Sequence, residues 1–275
     1  MPIKGFDTSS NQASTVNTIL AKQNGYEFCF LRIGNGTKKD KCFENDLICC
    51  KGAGIKVGVY YGSTCLTREG AIKEAEQCLA WLGGRKFDLP IVYDMEVNGM
   101  ATASRKIPNA IQYNAFAGIM RANGYPTMYY CSANRWRNYI EQDMIYDPLW
   151  LASYGKNDGS ITPLEKIPNI GRTIDIHQYT SASVPRDFFP YKLDRNLLYT
   201  SYARINAMPT TKVMHTTRDI TVWLAPSKKD EYRLKKIPSD YAVTLYPEFI
   251  LSKSGEGDYF YRTVKNCFVL AKYMR

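Results

Sequence analysis

Short apolar runs alternate with amphipathic stretches up to about residue 200 of the chain. Each apolar run has the length of a buried strand, and the stretches between the runs repeat their apolar positions with helical spacing. The clearest helix is predicted over residues 67–84, where Thr67 suits the N-cap and two glycines end the pattern. Strands are predicted at 3–7, 26–34, 55–62, 89–97 and 126–132, with helices at 15–24, 43–54, 67–84 and 107–124.

Beyond residue 140 the alternation loosens, because the predicted strands are joined by loops rather than by clear helices. These strands lie at 149–155, 173–181 and 191–199. Eight strands, the first four of them followed by helices, favour an α/β fold with a parallel sheet. We predict an irregular TIM-like (β/α) barrel with degenerate last strands over residues 1–203. An open doubly wound sheet is the competing fold, but no glycine-rich phosphate loop follows the first strand.

The last third of the chain has a different pattern. Residues 204–216 lack periodicity and are predicted to be a linker. Short strand candidates then follow one another without intervening helices, which predicts a small all-β barrel over residues 217–275. The candidates are at 220–225, 242–251, 259–264 and 267–274.

Charge and cysteine content narrow the classes of function. The net charge is +10, and residues 204–275 carry 13 Lys and Arg against 7 Asp and Glu. A basic segment suits phosphate-rich partners, among them nucleic acids, teichoic acids and anionic membranes. No recognition helix or base-stacking motif accompanies it, so no nucleic-acid partner is predicted. Eight scattered cysteines and two histidines without a C-x-x-C pair predict free thiols, no metal and no cofactor.

The first residues and the hydropathy of the chain give an expectation about location. MPIKGFDTSS has no apolar segment of the kind found in signal peptides. No apolar run reaches the length of a membrane-spanning helix, so membrane insertion is not predicted. We therefore expect synthesis in the cytoplasm.

Four acidic residues fall at the ends of predicted strands. Asp7 ends the first strand, Asp94 and Glu96 end the fourth, and Asp194 lies in the last. Strand ends of a parallel barrel converge at one mouth, and glycoside hydrolysis uses paired carboxyl groups, one protonated and one ionised. Each acid also has an ordinary alternative: a solvated D-x-E strand end, a turn at Asp7, or an ion pair between Asp194 and Arg195.

The predicted strands, taken in order, resemble those of a known family. GFDTSSNQ, FLRIGNG, GVYYGS, PIVYDMEVN, PTMYYCS, LWLASYG, IHQYT and KLDRN resemble, in order, the strands of a glycoside hydrolase family 25 muramidase. The resemblance implies cleavage of the β-1,4 bond between N-acetylmuramic acid and N-acetylglucosamine in peptidoglycan. It implies Glu96 as general acid, Asp94 as its supporting carboxylate, and Asp7 and Asp194 as the rest of an acidic ring; retention or inversion stays open. It also implies substrate-binding residues at the groove: Tyr61, Tyr129, Trp150, Tyr154 and, as a hydrogen-bonding residue at the lip, Gln178.

The segment DITVWLAPSKKDEYRLKKIPSDYAVTLY resembles a bacterial SH3-like cell-wall-binding domain. This resemblance implies a wall polymer or stem peptide as its partner. Tail aromatics either grip that ligand or fill a small core: Trp223, Tyr232, Tyr246, Tyr259 and Tyr261.

The lack of a signal segment and the wall-binding tail together favour a phage endolysin that acts on the wall after release from the host cytoplasm. The alternatives are a secreted bacterial autolysin, a non-catalytic wall-binding protein on an inactive barrel, and another barrel glycosidase such as a chitinase.

Overall fold

A nine-stranded sheet is closed into a barrel in the computed structural model, which describes residues 1–12, 16–182, 192–253, 255 and 257–275. Its order is β1-β9-β8-β7-β6-β5-β4-β2-β3, and pairing of β1 with β2 closes the ring. The two-residue strand β3 only extends the end of β2. The strands are β1 (Ile3–Thr8), β2 (Tyr26–Asn35), β3 (Lys38–Lys39), β4 (Lys56–Gly62), β5 (Ile91–Asp94), β6 (Thr127–Ser132), β7 (Leu149–Ala152), β8 (Ile176–Thr180) and β9 (Asp194–Leu198).

Helices pack around the outside of this barrel. The predicted caps of helix α3 (Arg68–Leu82) are confirmed: the Thr67 side chain accepts a hydrogen bond from the Gly70 N–H, and Gly83 adopts a left-handed conformation with φ 59°. The short helices α5 and α6 were not predicted. None of the helices described is long and apolar enough to cross a membrane. The helices are α1 (Thr18–Gln23), α2 (Phe43–Gly52), α3 (Arg68–Leu82), α4 (Lys106–Ala122), α5 (Ala133–Tyr139) and α6 (Tyr202–Ile205).

The last barrel strand corrects the expectation of a parallel sheet. β9 runs antiparallel to both of its neighbours, β8 and β1. Residue 191, where this strand was predicted to begin, lies outside the described residues, and the strand starts at Asp194. The reversal puts the first residue of β9 at the mouth formed by the carboxyl ends of the other strands. Asp194 therefore faces Asp7 across the β1–β9 pair, whereas a parallel last strand would carry it to the opposite end.

Two apolar layers hold the barrel together, one inside it and one between it and the helices. The interior is filled by large side chains such as Phe28, Phe30 and Trp150. The outer layer contains side chains of the opposite strand face, including Tyr61 and Tyr93. Successive strand residues thus contribute alternately to the two layers, as the pleat of a strand requires.

A second sheet of six strands follows, in the order β10-β13-β14-β15-β11-β12. The linker predicted at 204–216 is partly wrong, because residues 212–215 form the edge strand β10, which pairs antiparallel with β13. The sequence K-V-M-H gives no strong signal because an exposed edge strand does not need an apolar face. The strands are β10 (Lys212–His215), β11 (Ile220–Trp223), β12 (Arg233–Ile237), β13 (Ala242–Leu251), β14 (Tyr259–Thr263) and β15 (Phe268–Leu270).

This second sheet packs directly on the barrel. Trp223, Phe260 and Phe268 belong to the same apolar cluster as the outer layer of the barrel. The Asn266 side chain also donates a 2.8 Å hydrogen bond to the main-chain carbonyl of Asn114 in α4. The two units therefore share a core, rather than being separate bodies joined by a linker.

The aromatic residues of the tail that the sequence analysis singled out divide into two groups. Trp223, Tyr246 and Tyr261 are buried, so they fill the core. Tyr232 is half-buried, whereas Tyr259 keeps 56% of its surface exposed. Of these five, Tyr259 is the one that solvent reaches most readily.

Candidate active site

The mouth of the barrel contains a pocket of about 240 Å³. The structure brings all four acids selected from the sequence to its wall: Asp7, Asp94, Glu96 and Asp194. They come from three strands that are distant in sequence, and the closed sheet makes them neighbours. The ordinary alternatives of an isolated turn or surface ion pair do not account for this convergence.

Asp7 and Asp194 form a carboxyl–carboxyl pair on facing strands. One carboxyl oxygen of Asp7 accepts hydrogen bonds from the side-chain amides of Gln178, at 2.9 Å, and Asn196, at 2.8 Å. Burial raises the pKa of both carboxyl groups, and the negative charge of Asp7 raises the pKa of Asp194 further. Both shifts favour a pair that holds one proton between its two carboxyl groups.

Asp94 and Glu96 are placed by the end of β5. Asp94 is the last residue of the strand, and its carboxylate accepts a 3.2 Å hydrogen bond from the Glu96 N–H. Burial and the nearby charge of Glu96 raise the pKa of Asp94 to about 7. The Glu96 side chain is 38% exposed at the rim, with Oε1 3.5 Å from Nε of Arg135. Glu96 is therefore accessible to a bound chain, while Asp94 lies deeper.

Three of the five predicted substrate-binding residues line this pocket: Trp150, Tyr154 and Gln178. Oε1 of Gln178 accepts hydrogen bonds from the hydroxyls of Tyr154, at 2.7 Å, and Tyr130, at 2.8 Å. Trp150 stacks on Phe30 with ring centroids 4.6 Å apart. Gln178 thus connects two tyrosines to Asp7, and Trp150 forms part of the pocket floor.

The other two predicted residues, Tyr61 and Tyr129, do not line the pocket. Both are buried in the outer layer, where Tyr61 stacks on Trp81 and Tyr129 packs edge-on against Tyr113. Tyr60, which precedes Tyr61, and Tyr130, which follows Tyr129, face the pocket instead. Because strand side chains alternate, an error of one residue moves a side chain to the opposite face.

Further pocket residues were missed by the sequence analysis: Tyr60, Tyr130, Arg32 and Asn35. Tyr130 pairs in register with Asp94 on the adjacent parallel strand, and paired residues face the same side of a sheet. That register would have selected Tyr130 over Tyr129. Arg135, beside Glu96, lies in α5. This helix was not predicted, so the position of Arg135 could not be inferred from the sequence.

The raised pKa of Asp94 predicts that replacing this residue stabilises the fold. Its pKa is higher in the folded chain than in the unfolded chain, so unfolding releases a proton, and stability falls as the pH rises from about 4 through about 7. Asp94→Asn should remove this loss and raise the free energy of unfolding by roughly 1–3 kcal/mol at about pH 8, with little change at about pH 4. Urea denaturation of both proteins at the two pH values measures the difference. A variant that is less stable at both would identify a structural role for Asp94.

Comparison with known proteins agrees with this arrangement. The family model for glycosyl hydrolases family 25 matches residues 6–187. An autolytic lysozyme of Clostridium acetobutylicum is 26% identical over 160 residues, which are 58% of this chain and 47% of that protein. The matched region thus spans about half the length of that relative.

Solved structures share the fold of the barrel. A bacterial lysozyme from Streptomyces coelicolor has a TM-score of 0.59 and 23% identity, covering 75% of this chain and 96% of its own. The catalytic domain of an endolysin from bacteriophage P40 of Listeria monocytogenes has a TM-score of 0.57 and 20% identity, covering 74% and 95%. The strand order, the acids at the mouth and the match over most of the barrel lead to one conclusion: this chain belongs to family 25 of the glycosyl hydrolases.

Proposed function

We propose that the chain is a peptidoglycan hydrolase of the lysozyme type that cleaves the β-1,4 bond between N-acetylmuramic acid and N-acetylglucosamine. The observation that carries the proposal is the convergence of four carboxyl groups on one pocket in a family 25 barrel. The similarity to an autolytic lysozyme supports the choice of substrate. Glycosidic bond cleavage requires one carboxyl to donate a proton and others to stabilise positive charge on the sugar ring.

Glu96 is the proposed proton donor. Its carboxyl lies at the rim, where the glycosidic oxygen of a bound glycan can approach it. In the reaction Glu96 gives its proton to that oxygen while the bond to the anomeric carbon breaks; water supplies the hydroxyl that replaces the leaving oxygen on that carbon, and its other proton returns to the enzyme. Nε of Arg135 lies 3.5 Å from Oε1 of Glu96 and restrains the position of the carboxyl group.

Asp94 and the Asp7–Asp194 pair are proposed to interact with the reacting sugar from deeper in the pocket. Asp94 in its ionised form orients the acetamido group or a water molecule at the anomeric carbon. The pair keeps a negative charge near the ring, which favours the oxocarbenium-like transition state over the neutral ground state. Tyr154 and Tyr130, tied to Gln178, are proposed to contact the sugar, with Trp150 below them.

The second sheet is proposed to be an SH3-like wall-binding domain. Its basic charge suits an anionic cell wall, and Tyr259 offers an exposed aromatic surface to a polymer or stem peptide. Holding the enzyme on the wall would raise the local concentration of glycan at the barrel. We propose that the protein is of the phage endolysin type, made in the host cytoplasm and acting on the wall after release.

The test is digestion of purified Gram-positive peptidoglycan, with mass spectrometry of the released sugars after borohydride reduction. Products that end in reduced muramic acid are the expected result. Products that end in reduced glucosamine would show that the protein is a glycosidase but that it cleaves the other glycosidic bond of the glycan. A protein that binds the wall and releases nothing would be a non-catalytic wall-binding module.

A further inference from the structure

A second cavity, of about 520 Å³, lies beside the acidic pocket at the hairpin between β2 and β3. The two cavities share Arg32 and Asn35 in their walls. A chain bound in the acidic pocket that continues across the end of β2 therefore enters this hairpin cavity. Its remaining wall includes Thr37, Lys38 and Lys41.

The backbone around the hairpin cavity is held from several sides. Gly36 has φ +54°, and a Cβ there would lie 2.5 Å from Oγ1 of Thr64. The Gly36 N–H donates to the Gly62 carbonyl at 2.9 Å, and the hydroxyl of Tyr61 donates to the Gly36 carbonyl. Tyr61, expected from the sequence at the sugar groove, thus fixes the turn of this hairpin.

A buried carboxylate anchors the other end of the hairpin. Asp40 accepts hydrogen bonds from the Ser10 N–H at 3.0 Å, the Cys42 N–H at 2.9 Å and Nε of Arg32 at 2.8 Å. Burial by itself would raise the pKa of Asp40, but these donors hold it below its usual value. Asp40 is consequently ionised and neutralised by Arg32.

The acids near the hairpin cavity are already engaged, while two of its lysines are not. Asp40 pairs with Arg32, and Glu44 pairs with Lys39 at 2.7 Å and with Arg85 at 2.6 Å. Among the residues that the structure describes, Lys38 and Lys41 form no ion pair. Both are exposed. The cavity therefore presents two unpaired positive charges next to a pocket that carries four acids.

We propose that the hairpin cavity binds an anionic substituent of the glycan, a carboxylate or a phosphate, through Lys38 and Lys41. The inference rests on the proposed function, since it places the sugar under cleavage in the acidic pocket. An anion on that sugar is repelled by the four carboxyl groups of the acidic pocket. It is attracted by Lys38 and Lys41 in the adjoining hairpin cavity. Thr37 adds a hydroxyl group at the same wall, whereas the Thr64 hydroxyl already donates to Oε1 of Glu74.

Two parts of the bacterial wall carry such anionic groups. Stem peptides attached to muramic acid end in carboxylates, and wall polymers are joined through phosphodiesters. Either group would select a decorated glycan over a bare one, so the hairpin cavity would set substrate preference without taking part in the bond cleavage.

The kinetic test compares the full-length wild type with Lys38→Gln/Lys41→Gln and a matched control, Lys73→Gln/Lys166→Gln. The control removes two exposed lysines that line neither cavity. On intact wall we expect the hairpin variant to lose about tenfold in kcat/KM, because each screened charge contact contributes a few-fold. The loss should shrink in about 0.5 M sodium chloride. Equal rates for the hairpin variant and the control on intact wall would overturn the proposal.

The substrate decides which anion is bound. If phosphate is recognised, the difference between the variants disappears on wall from which hydrofluoric acid has removed the phosphodiesters. If carboxylate is recognised, it disappears on wall whose free carboxylates have been converted to neutral amides with a carbodiimide and ammonia. A difference that survives both treatments would refute recognition of an anionic substituent.

A binding measurement separates this inference from the proposed catalysis. Glycerol phosphate or N-acetylmuramyl dipeptide is titrated into ¹⁵N-labelled wild type and into the hairpin variant, and the amide signals of Gly36, Lys38 and Lys41 are followed. Saturable shifts in the wild type alone support the site even if no glycan is cleaved. Glycan cleavage without such shifts for either probe would leave the proposed function standing and reject the hairpin site.

Discussion

Glu96→Gln is expected to lower the rate of peptidoglycan cleavage by about 10²–10⁴-fold while the protein still binds the wall. Glutamine has nearly the shape of glutamate but has no acidic proton to give to the leaving oxygen. Because Glu96 is 38% exposed and lies beyond the end of β5, its replacement should leave the fold intact. The measurement is the release of new reducing ends, with the thermal midpoint of unfolding as a check on the fold.

A matched control is Glu165→Gln, which removes an exposed glutamate that does not line the pocket and should leave the rate unchanged. The informative comparison is with Asp94→Asn, since burial and the charge of Glu96 raise the pKa of Asp94 to about 7, high enough for Asp94 to hold a proton near neutral pH. If Glu96→Gln keeps its activity and Asp94→Asn loses it, Asp94 is the proton donor. If both lose it, the two carboxyl groups act together, as the proposal requires.

Asp147→Asn is expected to destabilise the protein by about 3–5 kcal/mol, because it removes the charge that balances buried guanidinium groups. Asp147 forms a buried ion pair with Arg121 and accepts a 2.5 Å hydrogen bond from the hydroxyl of Tyr113. Burial alone would raise its pKa, yet Arg121 and Arg262 hold that pKa below its usual value. The carboxylate therefore stabilises the fold above about pH 4, and this stabilisation is lost as the pH falls through its lowered pKa.

The second of these arginines comes from the other sheet. Arg262 is buried between the rings of Tyr146 and Tyr246, 3.8 and 3.9 Å from their centroids. Burial and the charge of Arg121 lower its pKa to about 10. Asparagine at position 147 would leave two positive charges buried without a counterion, at the place where the tail meets the barrel.

Urea denaturation near pH 7 measures this effect, with Asp230→Asn as the control. Asp230 is 87% exposed in its side chain and pairs with Arg233 at the surface, so its loss should change stability by less than about 0.5 kcal/mol. Adding Arg121→Met to Asp147→Asn should recover part of the stability by removing one orphaned charge. A loss below about 1 kcal/mol for Asp147→Asn would mean that solvent already reaches these guanidinium groups.

The sequence by itself determined the order of the elements and the identity of the acids. Apolar runs located the barrel strands to within a few residues, because a buried strand must be apolar whatever its neighbours are. Thr67 and Gly83 set the ends of α3 through local backbone hydrogen bonds and a left-handed turn. The D-x-E strand end at Asp94 and Glu96 was visible because carboxyl groups after an apolar run are costly to bury without a purpose.

Only the tertiary structure decided the direction of β9, the faces of the tyrosines and the docking of the tail. Strand direction depends on which neighbours a strand pairs with. Asp194, near the end of the barrel sequence, pairs with Asp7, near its beginning. Tyr60 and Tyr61 differ by one position in an alternating strand, so the register with β5 determines which of them faces the acidic pocket. The hydrogen bond from the Asn266 side chain, in the turn between β14 and β15, to Asn114 in α4 joins the tail to the barrel domain. Periodicity in a sequence reports burial along one element, whereas contacts between distant elements are fixed only when the whole chain packs.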